Sequence, residues 1–527
     1  MDDYASPGAV SARHNALSRR EFLRRLAVVG LAPAALLAAC SQPAAAPTSA
    51  PAAAPTTAPA AAPTTAPAAA PTTAAARTAA PAATTAPAAA ATTAPAAAAT
   101  RAATSAPAAT SAPTAQAAAT AAPGQAAQVS KLTIAAVQGN EDQALKAVAP
   151  LYQQQKGVAI EIVEFPYDQL YEKLVTTFQA NTASYDLAMM DDPWMPKFGT
   201  SGWLQPLEQF GFTRDPDIPP VVYEVGTWPP PRGPVPPSEK GKPQQLLGIT
   251  IVGNVEIFMY RKDLTPEPKS WDDVLANAKK LNKPGSMAGY IIRGKATNPV
   301  VADFLPMLWS FGGDVFDTSW NVVIDSPESL RAVKFLVQDL KSVAESGAEN
   351  VDAADRSRLM AIGQGYQSTV WPAEVTSIVE NPQVSQVTGK VGYIPIPAGP
   401  SGKGVGMMGN WLLGIPKASK NGQAAADFIK WLISPETQKT YVEKGGIPSR
   451  KSILNDPALN QKQPFFAALA KSLEAVPNWR PRTDQWNAVE TILGTNLNGA
   501  LAGLNDPEAA MKAAAEQIRN QMKQAGY

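Results

Sequence analysis

The residue types able to do chemistry are unevenly spread along this chain. It holds one cysteine and one histidine, Cys40 and His14, both near the N-terminus. Everything beyond residue 40 therefore lacks thiol nucleophiles, disulfides, Cys/His zinc sites and histidine-based triads. Neither a cofactor nor a metal is expected there. Carboxylate, amide, guanidinium and indole chemistry remain, and these types cluster: Gly139-Asn140-Glu141, Asp191-Asp192-Pro193-Trp194, Asn254 with Tyr260, Trp371-Pro372-Ala373-Glu374, Gly409-Asn410-Trp411, and Arg450 closing Gly446-Ile447-Pro448-Ser449. Carboxylates and amides beside flat aromatic faces suit reversible capture of a polar solute that also has an apolar face. Hydrolysis would need a paired set of acids such as Asp192 and Glu374, and no local spacing fixes such a pair.

The elements that must position these residues follow from periodicity. Lys131 to Val137 reads as a buried strand, and Leu145, Val148, Ala149 and Tyr152 recur at amphipathic-helix spacing. Val158 to Phe165 is the next strand, Leu170, Leu174 and Phe178 mark a second helix, and Asp186 to Met190 is a short strand. This β-α-β-α-β order predicts a parallel sheet. Ligands of such sheets sit beyond the carboxyl ends of the strands, which is where Glu141 and Asp191-Asp192-Pro193-Trp194 fall. Ser270-Trp271-Asp272-Asp273, Ser326-Pro327-Glu328 and Ser434-Pro435-Glu436 each predict a helix start, with a serine cap and an acid near the positive helix end. The proline-rich stretch from Trp228 to Pro237 breaks every period and predicts a surface loop.

The N-terminal quarter has a different character. Ser18-Arg19-Arg20-Glu21-Phe22-Leu23 is a twin-arginine pattern, followed by an apolar stretch from Leu26 to Ala39. At roughly 14 residues that stretch falls short of the roughly 20 needed to span a bilayer. Leu37-Ala38-Ala39-Cys40 resembles a lipobox, so residues 1–39 are expected to be a removable signal peptide and Cys40 the lipid attachment site at the membrane. Residues 40–128 repeat Ala, Pro and Thr without large apolar side chains and are expected to form a disordered linker. Across the whole chain Lys+Arg 45 against Asp+Glu 44 leaves a formal charge of +1, so no field gathers nucleic acid. The roughly 400 residues from 129 to 527 exceed what one core usually covers, and two lobes are expected.

The succession from Lys131 onward resembles the family 1 extracellular solute-binding proteins. It is carried by Tyr185-Asp186-Leu187, Asp191-Asp192-Pro193-Trp194, Gly202-Trp203-Leu204-Gln205-Pro206-Leu207, Val252-Gly253-Asn254, Tyr260-Arg261-Lys262-Asp263-Leu264 and Ser270-Trp271-Asp272-Asp273. It continues through Trp309-Ser310-Phe311-Gly312-Gly313-Asp314, Trp371-Pro372-Ala373, Gly409-Asn410-Trp411, Phe428 to Glu436 and Gly445 to Arg450. Each motif is short, and their joint order from 131 to 460 is what is specific.

The resemblance implies an α/β, two-lobed, periplasmic-binding-protein-like fold with a ligand cleft between the lobes, here preceded by the disordered stalk. It places lobe 1 at about 129–250 and 396–433 and lobe 2 at about 251–395 and 434–527, with crossings near 250–254, 395–397 and 434. It implies a monomer that binds a small-molecule carbohydrate without chemistry and delivers it to the permease subunits of an ABC transporter. The alternatives left open are another solute, such as a polyol, glycerophosphodiester or peptide, and a secreted glycoside hydrolase.

A sugar offers C–H faces and a rim of hydroxyls. Matched to the family, Trp371 is a stacking platform at the cleft floor, and Arg450 stands where some members reach ligand hydroxyls. Trp411, approached through Gly409 and Asn410, is the second platform. Asp191 or Asp192, with Trp194 beside them, could accept vicinal hydroxyls, and Glu141, Asn254 and Tyr260 complete the candidate set.

Overall fold

The computed structural model describes residues 129–527; the expected signal peptide, Cys40 and the Ala/Pro/Thr-rich linker lie outside them. Strand β1 (Lys131–Val137) pairs in parallel with β2 (Ala159–Phe165) and with β3 (Leu187–Asp191). Helices Gln143–Lys156 and Tyr167–Gln179 make the crossovers. They bury Leu145, Val148 and Tyr152, then Leu170, Leu174 and Phe178, at the spacing that puts one helical face on a sheet. Gly157, at φ 73°, stops the first of them, a left-handed turn that glycine adopts without steric cost.

The remainder of this sheet departs from the all-parallel expectation. Its order is β2-β1-β3-β10-β6, where β6 is Ile249–Val252 and β10 is Trp411–Gly414, and β10 runs antiparallel to both of its neighbours. A β-α-β link forces its strands parallel through a handed crossover. Strand β10 enters from the other lobe and carries no such constraint.

Between β3 and β6 a short ribbon forms from β4 (Thr227–Trp228) and β5 (Gln245–Leu246). The second lobe is built on an antiparallel sheet, β8-β7-β9, of β7 (Ile257–Arg261), β8 (Gln367–Val370) and β9 (Val391–Ile394). Helices Asn298–Ser310, Pro327–Lys334, Trp486–Leu501 and Pro507–Gln524 pack on one another beside it. Two apolar cores result. One gathers Leu132, Ile134, Leu187, Met189 and Leu412, and the other Phe258, Trp271, Leu305, Trp486 and Ile518. Each such side chain taken out of water stabilises by about 2 kcal/mol before entropy is charged. The three serine caps form: Ser270 and Asp273 exchange bonds in a capping box, and Ser326 and Ser434 accept from the amides of Ser329 and Thr437.

The chain passes between lobes after β6, at 253–256, and again between β9 and β10. The third passage is not at Ser434. Helix Pro435–Glu443 still packs on helix Gln143–Lys156, Ile447 O accepts from Gly253 N at 2.9 Å, and Lys451 N donates to Asp217 O at 2.9 Å. The segment from 434 to about 454 thus belongs with the first lobe; helix Phe466–Glu474 touches β7 and β9 but buries Phe466, Leu469 and Leu473 in the first core with Trp479, so the third passage follows at about 477–485, before Trp486 joins the second core. Helix periodicity does not say which sheet a helix covers, so this boundary was not readable locally. The proline-rich stretch is also only partly a surface loop, because Trp228, Pro229 and Pro230 are buried. Among the described residues no helix is long and apolar enough to cross a membrane.

Candidate functional site

A cavity of about 500 Å3 lies where the carboxyl ends of β1 and β3 face the second lobe. The first lobe contributes Gly139, Asn140, Glu141, Tyr167, Asp168 and Asp191; the second contributes Arg293, Lys295, Asn298, Asp352, Trp371 and Glu374; the passages between them add Asn254, Gly409 and Arg480. Five of the ten expected binding residues therefore border it: Trp371, Trp411, Asp191, Asn254 and Glu141.

Trp371 immediately follows β8 and is half-buried, its ring lying over Gly409. A Cβ at Gly409 would stand 2.5 Å from Trp371 Cζ3, so the absence of a side chain there is what lets the indole lie down. Trp411 is only 6 % exposed. It meets Trp194 edge to face at 5.6 Å and Tyr167 at 5.9 Å, which makes it chiefly a packing residue with one edge on the cavity. Tyr167, unflagged by its sequence context, is the half-exposed aromatic on the first-lobe side.

Asp191 reaches the cavity wall with its carboxylate fully engaged. Oδ1 accepts from Asp192 N at 2.9 Å and from Arg480 Nη2 at 3.1 Å, and Oδ2 accepts from Tyr167 Oη at 2.9 Å and from Arg480 Nη1 at 3.1 Å. It holds the site's shape, and the expectation that it accepts vicinal hydroxyls is not met by this geometry. Asp192 is sealed behind it, accepting from Asn410 N at 3.0 Å, and burial pushes its carboxyl up to about 7 against the pull of Arg480. Asn410 is buried too, with Nδ2 on Thr250 Oγ1 at 3.2 Å, and Trp194 is 1 % exposed. These three support the cleft from behind.

Two candidates lie elsewhere. Tyr260 is buried on β7 with its ring against Gly392, because its side of the strand faces the second core. Arg450 binds Ile433 O at 2.8 and 2.6 Å and Asp215 at 2.7 Å, an internal tie of the first lobe. Both belong to motifs that matched in order, and order does not say which way a side chain points.

The free acceptors are specific. Asn254 is 2 % exposed and its Oδ1 has no partner among the described residues; a buried amide oxygen left so is costly unless something else supplies a donor. Glu141 forms no ion pair among the described residues. Burial pushes its carboxyl up to about 7, Glu374 and Asp191 adding and Arg293 opposing. The cations, by contrast, are all committed. Arg480 grips Asp191, Arg293 donates to Asp352 at 3.1 Å, and Lys295 donates to Asp352 at 2.9 Å. Glu374 is tied to the buried Arg356 at 2.7 Å and to Ser357. Neither Asp192 nor Glu374 is thus available as half of a hydrolytic acid pair. Among the described residues no group of three or more His, Cys, Asp and Glu is placed to hold a metal ion.

Arg480, Arg293, Lys295 and Asp352 line the cleft without a strong local sequence signal. The one local signal was Asn478-Trp479-Arg480-Pro481-Arg482, two arginines around a proline beside an indole.

The chain matches the family model described as bacterial extracellular solute-binding protein over residues 135–439. It is 26 % identical over 413 residues to a probable amino-acid ABC transporter periplasmic-binding protein, y4oP, of Sinorhizobium fredii, covering 75 % of this chain and 90 % of that one. It is 25 % identical over 427 residues to the mannitol-binding protein of Pseudomonas aeruginosa, covering 75 % of this chain and 94 % of the other. Among solved structures it is similar to the ABC transporter solute-binding protein of Agrobacterium radiobacter K84 in complex with ribitol. There the TM-score is 0.66 and the identity 26 %, over 75 % of this chain and 98 % of that one.

Proposed function

The chain belongs to the bacterial extracellular solute-binding protein family, and on that premise we propose that it captures a sugar or polyol between its lobes for an ABC-type importer. The observation that carries the choice of solute is the state of the charges. Of the lining side chains, Glu141, Asp168, Asp191, Asp352 and Glu374 are acidic and Arg293, Lys295 and Arg480 basic, and each base already has a carboxylate partner. An amino acid or a phosphoester would need a free guanidinium or an amide nest for its anion. A polyhydroxylated ligand needs acceptors for its O–H groups and a flat face, which Asn254 Oδ1, Glu141 and the Trp371 indole offer. The mannitol and ribitol in the names of two relatives fit this reading better than the amino acid of the third.

Binding proceeds without turnover. A solute touching Glu141 on one lobe and Trp371 on the other favours the arrangement in which both contacts exist, and that difference between states is what drives closure. Export through the twin-arginine signal, lipid attachment at Cys40 and a monomer tethered by the Ala/Pro/Thr-rich linker complete the proposal; the residue order from Ser18 to Cys40 supports them.

The test is a thermal-shift series with mannitol, ribitol, maltose, other neutral saccharides and the proteinogenic amino acids. A bound solute raises the melting temperature by mass action. A rise with neutral polyols or saccharides is expected; a rise confined to amino acids would overturn the assignment of solute class.

A further inference from the structure

The proline-rich segment from Trp228 to Pro237 does not line the cavity, yet it touches both lobes and the third passage between them. It is rooted in the first lobe, where β4 pairs with β5 and Arg232 Nε donates to Glu224 at 2.8 Å. Midway, Arg232 Nη2 donates to Pro477 O at 2.8 Å, and the guanidinium lies 3.8 Å from the centre of the Trp479 ring. Pro477 and Trp479 precede Arg480 on the third passage between lobes. At its far end Val235 O accepts from Trp320 Nε1 at 3.2 Å, and Trp320 is built into the second core, edge to face with Tyr527 at 5.0 Å and Phe316 at 5.4 Å.

The composition suits a strap. Prolines lack the N–H and have little backbone freedom to lose, so the segment is stiff; Trp228 anchors its start in the first core, and beyond it contacts run through carbonyls and the single Arg232. The receiving side is held in place as well. Trp320 sits at φ 67°, a left-handed conformation that a bulky residue keeps only when its surroundings hold it. Asp317 does so, accepting from the amides of Ser319 and Asn321 at 2.8 Å each.

We propose that residues 228–237 form an interlobe strap, which biases the hinge toward the arrangement seen here and so sets part of the free-energy difference that solute binding works against or with. Rotation of one lobe relative to the other displaces Trp320 from Val235 and strains the Arg232 clasp on 477–479. The inference does not depend on the identity of the solute.

The test measures lobe separation without solute. The full chain carrying Cys40→Ser is spin-labelled at Lys173→Cys and Asn520→Cys, both exposed and on different lobes, and the distance distribution is recorded by pulsed electron resonance. Trp320→Phe keeps an aromatic ring of smaller size and removes the N–H; Arg232→Gln removes the clasp. Either variant is expected to raise the population outside the main distance about threefold or more, the scale of one hydrogen bond. Broadening in either supports the strap, and a distribution unchanged in both overturns it. Should Trp320→Phe fail to unfold cooperatively, Arg232→Gln decides alone. Because no ligand is present, this outcome is separate from that of the solute assignment.

Discussion

Arg480 grips Asp191 through both terminal nitrogens, at 3.1 Å each, and so pins the third passage between lobes to the end of β3. Both side chains are buried, and Asp192 lies 3.6 Å from the same guanidinium. Removing the arginine leaves a buried carboxylate without its partner. Arg480→Ala is expected to cost roughly 3 kcal/mol or more, and Arg480→Lys to rescue little because it cannot bind in the two-pronged manner. Denaturant unfolding checks both; a loss below about 1 kcal/mol for Arg480→Ala, the scale of an exposed pair, would show that the pair is not structural.

Trp371 and Trp411 should separate binding from stability. Trp371→Ala is expected to weaken binding of a saccharide or polyol identified by thermal shift about tenfold, on the order of 1.4 kcal/mol of lost stacking, with cooperative unfolding retained. Trp411→Ala opens a void among Trp194 and Tyr167 and is expected to cost about 3 kcal/mol of stability. Calorimetric titration beside thermal unfolding distinguishes the two, and equal behaviour would contradict the different burial of the two indoles.

Gly409→Ala places a methyl 2.5 Å from Trp371 Cζ3. The indole must tilt, so the affinity is expected to fall by about as much as for Trp371→Ala while expression and fold persist. Restoration of binding in Gly409→Ala combined with Trp371→Phe would confirm the steric origin.

Asn254 offers a sharper criterion. Its Oδ1 is buried and has no partner among the described residues, so Asn254→Ala removes a desolvated acceptor and is expected to leave the melting temperature unchanged or raise it, while solute affinity falls. A lower melting temperature with unchanged affinity would make Asn254 structural.

Stability should be greatest at mildly acidic pH. Burial pushes the carboxyls of Glu141, Asp192, Glu345 and Glu490 up to about 7. Unfolded carboxyls release their protons near 3.8 for Asp and 4.5 for Glu. Between those values and about 7 the folded chain binds more protons than the unfolded chain, so stability falls as pH rises through that window. Asp352 is displaced the other way, to about 2, by Arg293 and Lys295 against the cost of burial; the stability it adds is present above 3.8 and is lost only as pH falls toward 2. The melting temperature at pH 5 is accordingly expected to exceed that at pH 8, and a rise between those values would refute the sign.

Much of this was legible in one dimension. The β-α-β-α-β opening, the serine caps at Ser270, Ser326 and Ser434, and the placement of Glu141 and Asp191 at strand ends all rest on interactions within a few residues, where periodicity and capping chemistry leave a local trace. The family resemblance carried the order of the motifs and, with it, two lobes and a cleft.

The tertiary structure decided what the motifs face. Asp191 and Arg480 are 289 positions apart, and nothing in the neighbourhood of either foretells that the carboxylate is used up by the guanidinium and not left for a ligand. The same holds for Tyr260 and Arg450, whose motifs matched while their side chains turned into cores. Backbone preferences are set by nearest neighbours, so they can be read along the chain. Whether an acceptor is free or satisfied depends on which distant segment arrives beside it, and that is settled only when the lobes pack.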